Sequence, residues 1–222
     1  MTKVRFNVPR IFIEDQFDGI RAFLTVVSEA LPEAEGRREQ EEVDLAVENG
    51  WDAPNLQIVH TIFHRWLPRM LGNSAIISIH SVVETQLMDI ARRLQSERKI
   101  GIEQKDITGK GIERVKIYLT KLFDLPIGER DGWPRLTDLA AIRNIIVHRA
   151  GAQGSSEDQR KKVQDLIKRY GEKLTLDGPK ENPRSEIVVS LELCNDFIDD
   201  AEAFLLQLIK DAHLDSPSPY TH

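Results

Sequence analysis

The sequence predicts an all-α fold: a helical bundle with an N-terminal helical extension and a small two-stranded β-ribbon before the last helix. Three observations carry this. Apolar residues recur three and four positions apart through most of the chain, the signature of amphipathic helices. The period drops to two in only two short runs, Lys173-Leu174-Thr175-Leu176 and Ile187-Val188-Val189-Ser190, separated by Asp177-Gly178-Pro179 and further turn residues. With 222 residues, 41% hydrophobic and 30% charged, the chain has enough apolar material for a core and is too apolar to be disordered throughout.

The elements follow in order. Ile13, Phe17, Ile20, Leu24, Val27 and Leu31 form the stripe of a first helix, with Pro32 at its end. Glu33 to Glu48 is strongly charged and reads as a solvated helix or a mobile connection, closed by Asn49-Gly50 and Pro54. Leu56, Val59, Phe63, Trp66 and Met70 predict a second helix, broken near Pro68 and Gly72. Ile76, Ile79, Val83, Leu87, Ile90 and Leu94 predict a long third helix, with Asn73 or Ser74 as N-cap and an end near Lys99. A fourth, with Ile112, Val115, Leu119 and Leu122, is entered through Gly109-Lys110-Gly111. A fifth opens at Pro134, a favourable first-turn residue, and stops near Gly151. Ser155 or Ser156 caps a sixth that reaches about Tyr170, and Leu193, Phe197, Ala201, Phe204 and Leu208 mark the last. This divides the chain into an extension over 1–54, a bundle over 55–212 and a disordered tail over 213–222, where Ser216-Pro217-Ser218-Pro219 stands.

Thirty Lys and Arg against 36 Asp and Glu leave a net charge of −6, which excludes a general coater of nucleic acid. A local site for RNA is still compatible with it. The single cysteine, Cys194, can form neither an intrachain disulfide nor a CxxC metal site. The longest nearly apolar stretch, Ala75 to Val83, is too short to span a bilayer, and Met1 to Arg10 has no apolar signal core. A cytoplasmic protein without a membrane partner is expected.

The fifth helix is the informative one. On a wheel of about 100° per residue, Leu136, Leu139, Ile142, Ile145, Ile146 and Val147 cover more than half the circumference, so the helix is buried on several sides. Thr137, Asn144 and His148 share the remaining strip, flanked by Ala140 and Ala141, with Asn144 and His148 one turn apart. Arg143 falls inside the apolar arc, where a charge needs partners. It pairs with a carboxylate, for which Glu84 is a candidate, or it snorkels outward, or it aims its fork at an anion such as phosphate.

The run Ala141-Ile142-Arg143-Asn144-Ile145-Ile146-Val147-His148-Arg149-Ala150-Gly151 resembles the signature of the HEPN superfamily: an Arg, usually followed by a polar residue, and a His after four to six intervening residues, here four. The long upstream helix with Ser78-Ile79-His80-Ser81-Val82-Val83-Glu84 fits the same setting. The arrangement covers about Leu56 to Leu208; only the short motif is specific, and residues 1–50 lie outside it. The resemblance implies an all-α, metal-independent endoribonuclease acting as a homodimer, often a toxin with a cognate antitoxin or a phage-defence effector. It assigns the catalytic roles to Arg143, Asn144 and His148, and needs no cofactor or metal. Some relatives of this kind only bind RNA or nucleotides, or serve as partner modules.

The residue chemistry agrees with that assignment independently. Metal-free RNA cleavage needs a base for the 2′-OH, an acid for the leaving 5′-oxygen and a cation for the crowded phosphorane. His148 suits proton transfer near neutrality. Arg143 suits charge stabilisation, and Asn144 can hydrogen-bond phosphate or orient the imidazole. On an ideal helix Arg143 and His148 point about 140° apart, and one motif supplies one imidazole. Both favour a composite site built from two chains, with a 2′,3′-cyclic phosphate as product.

Other motifs are weaker. His60 and His64 have half-site spacing for a metal but no third ligand, and read as polar positions beside an apolar stripe. His80 and Glu84, one turn apart, read as a core-edge pair or as a support behind the motif helix. Gly109-Lys110-Gly111 is not a P-loop, since Gln104 stands where the first Gly belongs. Arg92-Arg93, Arg98-Lys99, Lys161-Lys162 and Lys168-Arg169 read as solvated faces that would guide RNA only if they share the motif's side. Trp66 reads as core, Trp51 and Trp133 as loop or interface anchors, and Cys194 as structural, with a helix start that can lower its pKa. Two function classes stand: an endoribonuclease, or a non-catalytic helical module for RNA or protein binding.

Overall fold

The structure is a computed structural model that describes residues 8–214; the expected tail lies outside the described residues from 215 onward. It is all-α with one ribbon, 77% helical. In chain order the elements are α1 (Val8–Asn49), α2 (Leu56–Thr61), a π-helical turn (Ile62–Trp66), α3 (Leu67–Arg98), α4 (Gly111–Phe123), α5 (Trp133–Arg149), α6 (Glu157–Tyr170), β1 (Leu174–Asp177), β2 (Glu186–Val189) and α7 (Leu191–Asp211). Among the described residues no helix is long and apolar enough to cross a membrane.

Two boundaries differ from the sequence expectation. α1 runs 42 residues straight through Pro32, and the charged stretch behind it is the solvated helix rather than a mobile connection. That stretch is rich in Glu, with two Arg and two Ala, all strong helix formers. One-turn pairs reinforce it: Arg37 with Glu33 at 3.7 Å and Gln40 with Asp44 at 2.8 Å are exposed, and Arg38 with Glu42 at 2.5 Å is part-buried. Pro32 removes one backbone donor, which the following turns outweigh.

The second difference lies around Pro68. Helix is continuous from Leu56 to Arg98, so Asn73 and Ser74 sit inside α3 rather than capping it. The π turn, closed by the Leu67 N–H on the Ile62 carbonyl, lies in the turn just before Pro68. A proline ring clashes with the carbonyl four residues back, and a widened turn relieves that clash. One inserted residue rotates everything downstream by about 100°. Val59 is therefore on the same side as the buried Leu71 and Ala75, while Trp66 and Met70 are left exposed at 47% and 62%. Trp66 is thus not core. Trp133, expected at a loop or interface, is buried at the start of α5, its ring 5.9 Å from that of Phe204.

The chain forms two compact units, each threaded by several helices. One comprises residues up to Gly19, Ile77–Arg143 and Asn195 onward. Its core is helical, with Ile13, Phe17, Val83, Leu87, Val115, Tyr118, Leu139, Phe197 and Leu205 fully buried. Here Tyr118 donates its hydroxyl to the Ile102 carbonyl at 2.7 Å, satisfying the one polar atom it buries.

The other unit comprises Ile20–Ile76 and Asn144–Cys194 and contains the antiparallel ribbon, in which Leu174 faces Val189 and Asp177 faces Glu186. Val163, Leu174, Ile187, Val189 and Leu193 are buried in it. Gly72 is needed where the ribbon meets α3: a Cβ there would lie 2.5 Å from the Val189 carbonyl oxygen. Arg65 and Arg69 of the same helical stretch hold the ribbon from outside, Arg65 on Asp177 at 2.7 Å and Arg69 on Glu186. The cap of α6 is as the sequence predicts, Ser156 and Gln159 forming a reciprocal capping box.

Candidate functional site

The motif helix α5 is unbroken from Trp133 to Arg149. It ends because Ala150 and Gly151 both take positive φ, +50° and +86°. The Gly151 N–H reaches back to the Ile145 carbonyl at 3.1 Å, which satisfies one of the last carbonyls of the helix. Leu136, Leu139, Ile142, Ile145 and Ile146 are buried, and Thr137, Asn144 and His148 are exposed, so the polar strip exists as the wheel places it. Val147, expected inside the apolar arc, is exposed at 44%. The arc narrows toward the end of the helix, where the polypeptide peels away at Gly151. Asp138, which the wheel did not single out, is buried on the same helix.

The boundary between the two units falls on α5 between Arg143 and Asn144. In the first unit, half-buried Arg143 is near enough to His80 for its charge to act on the imidazole. His80 Nδ1 lies 3.8 Å from Glu84 Oε2, one turn along α3, and its side chain is almost fully buried. Burial lowers the His80 pKa, Glu84 opposes that and Arg143 adds to it. Arg143, His80 and Glu84 are therefore one electrostatic group. Glu84 also borders the start of α4: a Cβ on Gly111, whose φ is +52°, would lie 3.3 Å from Glu84 Oε1. A carboxylate beside a helix N-terminus is favoured by the helix dipole. The Gly109-Lys110-Gly111 turn thus has a packing reason for its second glycine.

In the second unit, exposed Asn144 and His148 lie one above the other on the last turns of α5. Immediately behind them Arg149 turns its guanidinium inward and donates to the Gln153 carbonyl at 2.5 Å. Burial lowers the Arg149 pKa. Gly154, at φ +100°, makes room for it, since a Cβ there would lie 2.6 Å from Arg149 Nη1 and would also strike the Gln159 amide. Gln153 is completely buried. Neither Arg149 nor Gln153 stands out in the sequence, although Gly151 and Gly154 bracket the turn that holds them.

The remaining candidates resolve locally. His60 and His64 stack at 4.3 Å between ring centroids, and His64 Nε2 is 2.7 Å from Glu35 Oε1. Among the described residues no three His, Cys, Asp or Glu side chains converge to hold a metal ion. The Cys194 thiol is buried and pushed up to about 12 by that burial, opposite in direction to the lowering that a helix start allows. Its Sγ lies 3.8 Å from the Gly72 carbonyl. The resemblance carried by Arg143, Asn144 and His148 stands on those residues alone: comparison with protein-family models, with curated proteins and with solved structures finds no match.

Proposed function

We propose that the protein is a metal-independent endoribonuclease of the HEPN type, in which Arg143, Asn144 and His148 carry the chemistry and His80 and Glu84 position Arg143. The single observation that supports this best is the contrast along α5. A helix with five buried aliphatic residues keeps Asn144 and His148 exposed at its end. An exposed imidazole one turn from an amide is free to meet a substrate, and a core helix gains nothing in stability from it.

In this reading His148 moves the protons of transesterification, taking one from the 2′-OH or giving one to the leaving 5′-oxygen. Arg143 stabilises the negative charge gathering on the non-bridging oxygens, and Asn144 holds a phosphate oxygen or the imidazole. The bond from the 2′-oxygen to phosphorus forms as the bond to the 5′-oxygen breaks, leaving a 2′,3′-cyclic phosphate. The two proton transfers ask for two imidazoles, and the motif has one, so two copies of the chain form the working unit. Exposed Val147 beside His148 gives the second copy an apolar contact. A cytoplasmic toxin or defence effector, restrained by a cognate antitoxin, is the setting in which such an activity is tolerated.

The test is incubation of the purified protein with single-stranded RNA in EDTA, with the 3′ ends of the fragments analysed. Cyclic phosphate ends that disappear in His148→Ala and Arg143→Ala support the reading. Equal cleavage by all three proteins, or none by any, leaves a non-catalytic helical module.

A further inference from the structure

The turn between the two strands is built against the end of the motif helix. Gln153, five residues beyond His148, donates from Nε2 to the Lys180 carbonyl at 2.8 Å and to the Asn182 carbonyl at 2.6 Å. Its own N–H reaches the Ser185 carbonyl at 2.9 Å, and the Gly154 N–H reaches that of Pro183 at 3.2 Å. Arg149 in turn donates to the Gln153 carbonyl, so a direct run of contacts links the residue after His148 to the turn. The turn is also tied to itself: Ser185 Oγ donates to the Pro179 carbonyl at 2.6 Å and the Arg184 N–H to Asn182 Oδ1 at 3.0 Å. With Pro179 and Pro183 fixing two φ angles, it is a preorganised loop rather than a slack connection.

Several arginines of the unit are held by carboxylates. Arg37, Arg38, Arg65 and Arg69 each meet a carboxylate. Lys180 and Arg184 are exposed and, with Arg149, meet no carboxylate within ion-pair distance among the described residues. Glu181 is the one acidic residue of the turn. From Arg149 to Arg184 the sequence has nine Lys and Arg against six Asp and Glu, inside a chain whose total is −6. Cations free of local partners, on a stiff loop, bind an anion without first breaking an ion pair.

We propose that the 178–185 turn, pinned by Gln153 to the end of α5, is the substrate-positioning element, Lys180 and Arg184 gripping the RNA backbone beside the phosphate presented to His148. This rests on the endoribonuclease reading for the chemistry, but the grip itself is read by binding. Gln153 holds main-chain carbonyls, so changing the side chains of 180 and 184 leaves the pin intact.

The experiment is fluorescence anisotropy with a labelled single-stranded RNA carrying 2′-O-methyl groups, which has no free 2′-OH to attack. Lys180→Ala with Arg184→Ala should weaken binding about tenfold and flatten the plot of log K against log salt by about 1.4, the value for two contacts on a single strand. Lys121→Ala with Lys210→Ala, an equal loss of charge on exposed positions elsewhere, should change binding less than twofold. Unchanged binding in the turn variant, an equal loss in the control, or no RNA binding by wild type overturns the proposal. Weakened binding with no cleavage of ordinary RNA by wild type retains the grip and removes the nuclease reading. Cleavage by wild type with unaltered binding in the turn variant does the reverse.

Discussion

His80 Nδ1 lies 3.8 Å from the Glu84 carboxylate, yet burial outweighs that attraction and holds the imidazole below its ordinary pKa of 6.5. Arg143 pushes in the same direction as burial. The native state therefore prefers neutral His80, and the unfolded chain binds the proton more readily. The stability this contributes is complete above pH 6.5 and is lost as pH falls below it toward the folded value. Urea midpoints measured from pH 7.5 to 5 should fall for wild type more than for His80→Gln. Parallel curves would show that His80 does not titrate differently on folding.

His148 and Arg143 should separate activity from stability. His148 is exposed, so His148→Ala should leave the urea midpoint within about 0.5 kcal/mol of wild type while cleavage falls by about 10² to 10⁴. Arg143→Lys keeps the charge but loses the planar fork. Its cleavage rate should drop at least about tenfold, with His80 still held low in its NMR titration. A His148→Ala protein that is unfolded, or fully active, contradicts the assignment.

Gly72 should be intolerant of a side chain although it sits in the interior of a helix, where alanine is intrinsically better by about 1 kcal/mol. The Val189 carbonyl occupies the space a Cβ needs. Gly72→Ala should destabilise by about 1–3 kcal/mol through overpacking, read by urea denaturation. A gain in stability would mean that β2 and α3 are not in this contact.

Cys194 gives a probe of the same contact. Its thiol, pushed up to about 12 and buried, has almost no thiolate at pH 8. Labelling with a disulfide reagent should be negligible in native buffer and complete in urea, with the midpoint of unfolding. Rapid labelling of the native protein would place the thiol in a loosened segment.

Much of this was readable in the sequence because it depends on neighbours along the chain. The period of Ile76 to Leu94, the Ser156 cap, the positive-φ stop at Gly151 and the two period-two runs are local, and each residue carries its own signal. The exposed pair of Asn144 and His148 was legible for the same reason, since a wheel needs only a regular helix. Where the helix is irregular the wheel fails: the π turn before Pro68 shifts the phase by one residue and exchanges Trp66 and Met70 for Leu71 and Ala75.

Relations between residues far apart in sequence came only with the folded packing. Gln153 was an unremarked amide until folding brought it to the carbonyls of Lys180 and Asn182. Gly72 was a helix weakness until Val189 lay against it. Trp133 became core because Phe204 meets it. Periodicity reports which side of an element is apolar, since that is fixed by the backbone repeat. Which partner fills that side, and which polar atoms find one another there, depends on long-range packing that no short window of sequence contains.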